Sequence, residues 1–431
     1  MQRTILSLTL SLLSLPVLSY AQDLPTPSPT KSPLPTATVT PESAQQMANR
    51  VLKETSKIRH LSIKSQVKTD VKTNAQIAKA MADQMQRNPN ADGIKAVNLY
   101  LRQLGFAPKN YDMQKSYARM LGEQTAGYYD NRTKAFTTSS RVNPLELETI
   151  MSHELTHALQ DQHFDLRTFK KAVAHNSDML LARKSLIEGD ATLVMRHYTS
   201  ATLLRSFGVF AAGVSSLFEP RESKAIDDAP LGTSESMRFP YTAGLDFATE
   251  LYKRGGWASI TKAYTRPPLS TQQILHFDKY LSNRKPENVP VPDVLRVLGK
   301  GWKMLDHDVD GEFGLSLILS AYADPEDSKS VAEGWSGDHY AIYSGPKGAA
   351  LIVQDSLWND EDDADYWVAG YEVRTQERFG ELAKERHEKG TTIWNAASDV
   401  VWVKRKGRRV VVLEGTAGAF DAKRVLKALL G

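Results

Sequence analysis

The chain has 431 residues, of which 41% are hydrophobic and 24% charged, a composition that supports ordinary buried cores over two or three domains. Lys and Arg total 54 and Asp and Glu total 50, a near balance that argues against a nucleic-acid-binding protein built on a basic surface. The absence of cysteine excludes disulfide scaffolds, Cys-ligated zinc and iron–sulfur sites, Cys nucleophiles and a lipid-modified N-terminal Cys.

The N-terminus is predicted to be an export signal followed by a linker. Arg3 precedes an apolar run from Ile5 to Leu18, and Ser19-Tyr20-Ala21 fits the small-x-small rule for cleavage. Residues 1–21 are therefore assigned to a signal peptide, which predicts a secreted protein or one of the periplasm or cell envelope. Residues 22–44 are rich in Pro, Thr and Ser and indicate an extended linker. No later stretch reaches the roughly 18 apolar residues of a membrane span.

The next region, residues 45–325, has mostly helical patterns and one small sheet. In chain order the predicted elements are a helix from Glu42, a strand at Leu61–Val67, a helix at Asn74–Gln86, a hairpin within Gly127–Ser139, and helices from Asn143 to about Ala321. This pattern predicts a helical domain with a short sheet at its edge.

The C-terminal region, residues 326–431, is predicted to be a separate and smaller α+β domain. The predicted strands are Tyr340–Tyr343, Ala350–Gln354, Val400–Val403 and Val410–Leu413, and the predicted helices are Glu361–Lys384 and Asp421–Leu430. The whole chain is therefore expected to belong to the α+β class.

One helix of the central region carries the pattern H-E-x-x-H, formed by His153, Glu154 and His157. Asn143 as a capping residue and Pro144 at the first helical position predict where that helix begins. Histidines four residues apart share one face of a helix, so their two imidazoles can bind one metal ion. Glu154 lies one position round and can accept a proton from a water molecule on that ion. The pattern therefore predicts a zinc site with Glu154 as the general base.

A catalytic zinc site of this type needs a third protein ligand and one open position. His163 has the spacing of the third histidine in the metzincin pattern, but Gln160 stands where that pattern has a helix-breaking Gly. Glu188 lies within an apolar run on a second predicted helix, and the small Gly189 beside it predicts a close approach to the first helix. Helix geometry favours Glu188, because His163 on an unbroken helix points about 80° away from His153.

Three segments carry a resemblance to known proteins: His153 to His163, Glu188 to Ala191, and the stretch from Phe239 to His276. They resemble a poorly characterised family of exported bacterial H-E-x-x-H proteins and, more broadly, the gluzincin metallopeptidases. The resemblance covers residues 45–325 and implies a zincin-like catalytic domain. It also implies a substrate-binding edge strand before the zinc helix, which the Tyr128–Thr138 hairpin can supply, although an ordinary hairpin explains that pattern equally well.

Two parts of the expected site are undefined by the sequence. Many gluzincins have an Asp four residues after the ligand Glu, where it braces a zinc-bound His, but here that position is Thr192 and the Asp is Asp190. Peptide hydrolysis also needs a donor for the developing oxyanion. The candidates are His276, Tyr241, His197 and Tyr198, and His276 is taken as the second catalytic candidate.

The expected function is that of an exported, zinc-dependent peptidase with His153, His157 and Glu188 as metal ligands and a peptide or protein as substrate. One alternative is a metzincin-like protease with His163 as the third ligand. A different class is a non-catalytic protein associated with the cell envelope, whose C-terminal domain binds a partner.

Overall fold

The computed structural model of the chain describes residues 37–86, 91–116, 127–171, 173, 175–205, 228–388, 390–396 and 398–431. The predicted signal peptide, 1–21, and most of the predicted linker lie outside these residues. The end of that linker is corrected by the structure, because a strand and the first turn of a helix occupy residues 37–44. Thr40 and Ser43 cap this helix reciprocally, and Pro41 stands in its first turn.

The N-terminal region packs helices around a small sheet. Its helices are α1 (Pro41–Arg59), α2 (Asn74–Gln86), α3 (Ala91–Gln103), α4 (Pro144–Phe164), α5 (Leu166–Lys171), α6 (Ser177–Arg205) and α7 (Leu231–Thr265). Its strands are β1 (Ala37–Thr38), β2 (Lys68–Lys72), β3 (Gly127–Asp130), β4 (Ala135–Ser139) and β5 (Arg141–Val142). Strand β4 lies between β2, which is parallel to it, and β3, which is antiparallel, so β3 is an edge strand of this sheet.

The strand predicted at Leu61–Val67 is wrong, because that segment is irregular and the strand follows it as β2. Side chains from helices bind its backbone where a neighbouring strand was expected. Gln162 accepts hydrogen bonds from the amides of Lys64 and Ser65 and donates one to the Ser65 carbonyl. Gln45 donates to the Val67 carbonyl. Because side chains satisfy these polar backbone groups, the segment does not need a neighbouring strand in spite of its alternating pattern.

The C-terminal region is built on a seven-stranded sheet whose neighbouring strands are all antiparallel, in the order β6-β7-β8-β12-β11-β10-β9. The strands are β6 (Lys303–Asp308), β7 (Trp335–Ser344), β8 (Ala350–Trp358), β9 (Ala383–Glu388), β10 (Thr391–Ala396), β11 (Asp399–Lys406) and β12 (Arg409–Thr416). The helices from residue 271 onward are α8 (Thr271–Leu275), α9 (Phe277–Leu281), α10 (Leu295–Leu298), α11 (Gly311–Ser320), α12 (Pro325–Ala332), α13 (Glu361–Phe379) and α14 (Ala422–Leu430). The chain is an α+β protein, as predicted.

Two predictions for this region are corrected. Strand β6 interrupts the stretch to Ala321 that was expected to be helical, and it joins the C-terminal sheet although it precedes residue 326. The helix predicted to reach Lys384 ends at Phe379, and Lys384 lies in β9. Gly380 ends that helix with φ of 52°, a conformation that glycine adopts without penalty. In the described part of the chain, no helix combines the length and apolar content that a bilayer crossing requires.

A backbone-to-backbone crossing of α6 and α7 fixes the position of the candidate site. A Cβ added to Gly189 would lie 1.9 Å from the carbonyl oxygen of Gly244, and one added to Gly244 would lie 2.4 Å from that of Ser185. Gly189 therefore permits a close helix approach, as expected, but its neighbour is α7 where the sequence suggested α4. The crossing therefore fixes the position of α6 against α7 directly beside Glu188.

We expect Gly244→Ala to lower the free energy of unfolding by about 2 kcal/mol or more, because the new methyl group overlaps a backbone carbonyl that cannot move freely. Urea denaturation of the two proteins measures the difference. Gly232→Ala, on the same helix, is the matched control, since its Cβ would meet only the Phe106 ring at 3.4 Å. A Gly244→Ala protein as stable as the parent would contradict this account of the crossing.

Candidate metal centre

Helix α4 begins as its sequence predicts and is buried along most of its length. The side chain of Asn143 accepts a hydrogen bond from the amide of Glu146, and Pro144 follows it as the first helical residue. Its apolar side packs into the core with α1 through buried side chains, which include Met151, Leu155, Ala158 and Leu159. With that side covered, His153 and His157 project from another face towards α6. Both are buried.

The structure brings His153, His157 and Glu188 together. The two Nε2 atoms lie 3.0 Å apart, and the Oε2 atom of Glu188 lies 3.2 Å from that of His153 and 3.1 Å from that of His157. Zinc bonds of 2.0–2.1 Å in a tetrahedron put neighbouring ligand atoms about 3.3 Å apart. The three atoms therefore form a triangle close to the size that a tetrahedral zinc ion needs, and an ion held by them would have one coordination position left for water or substrate.

Gln160 determines which nitrogen of His157 faces this triangle. The amide nitrogen of Gln160 donates to the carbonyl oxygen of Ile187 and to Asp190, both at 3.0 Å, and these two partners can only accept. The amide oxygen must therefore face Nδ1 of His157, 2.8 Å away, and that nitrogen carries the hydrogen. The Nε2 lone pair is left to bind a metal, which is the arrangement expected of a histidine ligand.

A buried ion pair supports Gln160 in turn. Asp190 accepts from Arg59 at 2.6 Å and from the hydroxyl of Tyr264 at 2.9 Å, and both Asp190 and Arg59 are fully buried. Gln160, which departs from the metzincin pattern, and Asp190, which departs from the gluzincin pattern, are thus in contact with each other. The sequence marks both positions but gives no signal for Arg59, which lies 131 residues away at the end of α1.

Glu154 is held by the edge strand and keeps one oxygen without a partner. Its Oε2 atom accepts from the backbone amide of Tyr129 on β3, at 2.9 Å. Its buried Oε1 atom has no hydrogen-bond partner among the residues described, and the same is true of Nδ1 of His153. Buried polar atoms without partners are rare in stable proteins and mark places where a water, ion or ligand binds. Glu154 is therefore suited to receive a proton from a water molecule in the centre of the site.

Burial and mutual charge set the protonation of the group. With no metal ion bound, burial raises the pKa of Glu154 to about 8 and lowers the pKa of His153 to about 4. A cation held beside Glu154 would lower its pKa and favour the ionised form that can act as a base. With no metal ion bound, burial opposes the charged form of His157, but the Glu188 carboxylate outweighs it and the pKa of His157 rises to about 9, so a metal ion has to displace the proton on Nε2. The two imidazoles outweigh the effect of burial on Glu188 and hold its pKa well below its usual range. Glu188 is therefore the ionised carboxylate that accepts hydrogen bonds from the histidines.

His163 does not join the triangle. It lies one turn beyond Gln160 on an unbroken helix, and its Nε2 atom donates to the carbonyl oxygen of Ser62 at 2.8 Å. His276, the second catalytic candidate, is also held elsewhere, with its Nε2 atom 2.6 Å from a carboxylate oxygen of Glu312. Neither residue belongs to the cluster of ligand atoms around Glu188.

Of the other oxyanion candidates, Tyr241 lies beside His153, which with His157 and Glu188 forms the candidate metal group. Its buried ring lies with its centroid 6.0 Å from that of His153. His197 packs its ring against aromatic side chains of α7, and the hydroxyl of Tyr198 donates to Glu148. These contacts engage His197 and Tyr198 elsewhere, which leaves Tyr241, whose ring lies beside that of His153, as the candidate.

The predicted edge strand, β3, lies against α4, the helix that carries His153, Glu154 and His157. Register pairs Tyr129 with Phe136 on β4, and the amide of Tyr129 points away from β4 to Glu154. That amide is therefore not open to pair with an added peptide strand in this conformation. The hairpin is present as predicted, and its role in substrate binding stays a prediction.

Comparisons with known proteins concern the other end of the chain. Residues 298–426 match a family model described as a domain of unknown function, DUF8575. The match spans all seven strands from β6 to β12 and contains none of the residues of the metal group. No curated protein matches the chain, and no solved structure does.

We expect Gln160→Leu to reduce zinc affinity roughly 10- to 100-fold, because the substitution frees the His157 ring and leaves Asp190 without a donor. Competition with a chromophoric chelator measures the affinity. Gln162→Leu is the matched control on the same helix, since Gln162 bonds only to Lys64 and Ser65. Equal affinity in the Gln160 variant and the parent would remove Gln160 from the support of the site.

Proposed function

We propose that the chain is an exported, zinc-dependent peptidase with a zincin-like catalytic region of the gluzincin type. The observation that carries the proposal is the buried triangle of His153, His157 and Glu188, whose ligand atoms lie 3.0–3.2 Å apart. Two imidazoles and one carboxylate are the ligand set of many catalytic zinc sites. The expected substrate is a peptide or protein outside the cytoplasm.

Each chemical role falls to a residue of the chain. A bound zinc ion supplies a lowered pKa for the attacking water and a positive charge for the reacting carbonyl group. Glu154 would accept the proton of that water at Oε1, which has no other partner among the described residues, while the Tyr129 amide holds its second oxygen in place. The protonated carboxyl can then donate to the leaving amine. Tyr241, beside His153, is the proposed donor to the developing oxyanion.

The choice of Glu188 over His163 rests on distance and on chain direction. Helix α4 runs without a break through Gln160, so His163 points to Ser62 and not to the histidine pair. A metzincin-like site would require that helix to break at Gln160, which would also remove the bond that orients His157. The gluzincin-type site needs no such rearrangement.

We expect the purified protein to bind about one zinc ion that is lost when the ligands are removed. His153→Ala, His157→Ala and Glu188→Ala should each cost most of the zinc affinity, because two ligands hold the ion far less tightly than three. Metal analysis after dialysis measures this. His163→Ala is the matched control and should keep its zinc. If His163→Ala loses the ion and Glu188→Ala keeps it, the site is metzincin-like.

We expect Glu154→Gln to keep the metal and to lower peptide hydrolysis by at least about 100-fold, because an amide fills the same space but cannot accept the proton. Hydrolysis of a mixture of quenched fluorescent peptides by the zinc-loaded proteins measures the effect. Zinc binding without hydrolysis in the parent protein would contradict the peptidase proposal, and a lack of zinc would favour the non-catalytic alternative, an envelope protein whose C-terminal domain binds a partner.

A further inference from the structure

A second group of histidines lies on the edge of the C-terminal sheet, where β6 pairs with β7. The register places His307 of β6 opposite Ala341 of β7, so His307 and His339 are diagonal neighbours on one face of the sheet. Nδ1 of His307 lies 3.1 Å from Nε2 of His339. The ring of His175, which precedes α6, stacks on that of His307 with 4.9 Å between the ring centroids. The fold therefore gathers three imidazoles from three segments of the chain.

A backbone carbonyl on the far side of His339 determines which of its nitrogens faces His307. Nδ1 of His339 lies 3.1 Å from the carbonyl oxygen of Val289, which can only accept, so Nδ1 carries the hydrogen. The segment that contains Val289 is itself bound to β7, because the amide of Glu287 donates to the carbonyl oxygen of Ser336 at 2.7 Å. The Nε2 lone pair of His339 therefore points to His307. A carbonyl oxygen behind the ring is a usual support of a metal-binding histidine.

The two facing nitrogens have the spacing of neighbouring ligands on one metal ion. Nitrogens 2.0–2.1 Å from an ion are about 2.9 Å apart at a right angle and about 3.3 Å apart in a tetrahedron. The observed separation of 3.1 Å lies between these values. Without an ion, His307 donates a hydrogen from Nδ1 to the lone pair of His339. An ion would take the place of that hydrogen, which a neutral imidazole can carry on its other nitrogen.

The surroundings favour neutral imidazoles that an ion can reach from solvent. Burial lowers the pKa of His307 and that of His339, and the charge of His175 lowers both further. Metal ions bind the neutral form of histidine. Both rings are only half-buried. Beside them Asp306, whose side chain is 16% exposed, places a carboxylate oxygen 4.0 Å from Nδ1 of His175 and adds negative charge that attracts a cation.

We propose that His307 and His339 form a second metal site, for a late first-row divalent ion such as Ni²⁺, Cu²⁺ or Zn²⁺, which imidazole ligands suit. The three histidines do not form a close three-ligand group in the described part of the chain, so two protein ligands are in place and water fills the other positions. With one ligand fewer than the group at Glu188, this site should be the weaker of the two and should lose its ion on dialysis.

The second site is separate from the proposed zinc site and does not rest on the proposed function. Ser177, the first residue of α6, is bonded to Asp308, the neighbour of His307. It precedes Glu188 by 11 residues on that helix, which places them about 16 Å apart along the axis. An ion at the second site would link β6 to β7 close to the point where the sheet holds the start of α6.

Titration of the zinc-loaded full chain with Ni²⁺ tests the second site. We expect one Ni²⁺ ion to bind without release of zinc, and His307→Gln and His339→Gln each to weaken its binding at least about tenfold, because one of two protein ligands is lost. Isothermal titration calorimetry measures the affinity, and metal analysis after gel filtration counts both ions. Gln at position 339 can still donate to a carbonyl oxygen. His387→Gln is the matched control, since His387 is exposed on β9 of the same sheet.

Three results would overturn the second site. Ni²⁺ that displaces zinc one for one would lie in the group at Glu188. Ni²⁺ that binds equally well to the parent, His307→Gln and His339→Gln would be adventitious, and so would Ni²⁺ whose binding His387→Gln weakens as much. If one variant fails to fold, as its circular dichroism spectrum would reveal, the other variant decides. If the parent holds no zinc, the same titration is made on the chain as purified, and the dependence on the two histidines decides alone.

Discussion

The hydrogen bond between Gln160 and His157 determines which nitrogen of the imidazole faces Glu188. An amide has a donor end and an acceptor end, and it binds correctly only if its surroundings distinguish them. Here Asp190 and the Ile187 carbonyl oxygen accept on one side, so the oxygen end is forced towards the histidine. The orientation is therefore specified by α6, the same helix that carries Glu188. One helix supplies both a candidate metal ligand and the groups that orient a second candidate ligand.

The ion pair behind this amide ties a third helix to the site. Arg59 ends α1, and its bond to Asp190 crosses the core between α1 and α6. Such a pair contributes little net stability, since the loss of hydration offsets most of the attraction, but removing one partner leaves a buried charge and costs about 3–5 kcal/mol. The main effect of the Arg59–Asp190 pair is therefore to fix the positions of side chains and not to add stability. The pair fixes Asp190, and through Gln160 it fixes the ring of His157.

Local patterns in the sequence predict the parts of this site that depend on one helix. The four-residue spacing of His153 and His157 follows from helical periodicity, and the cap at Asn143 fixes where the helix begins. The third ligand could be inferred because Glu188 stands in an apolar run, where a carboxylate needs a reason to be buried.

The remaining features depend on contacts between distant segments, which no local pattern records. Gln160 appears in the sequence as a departure from the metzincin pattern and Asp190 as a departure from the gluzincin pattern, and only the fold shows that the two residues are in contact. His276 follows a segment that contains Pro267 and Pro268, which suggested a fixed position for its side chain. In the fold its Nε2 atom lies against Glu312 on α11 instead. The strand β6 was missed because its partner β7 follows 27 residues later.

The C-terminal sheet bears on the metal group through the start of α6. The amide and hydroxyl of Ser177, at the first position of that helix, both donate to Asp308 at the end of β6. A carboxylate at a helix N-terminus accepts a hydrogen bond from a backbone amide that has no partner within the helix. Its negative charge also interacts favourably with the positive end of the helix dipole. Asp178, the next residue, accepts from the amide and hydroxyl of Thr271 on α8. Through Asp308, the region that matches the domain of unknown function anchors the helix that carries Glu188. Glu188 therefore lies on a helix that is held at its start by these hydrogen bonds and, next to Glu188, by its close crossing with α7.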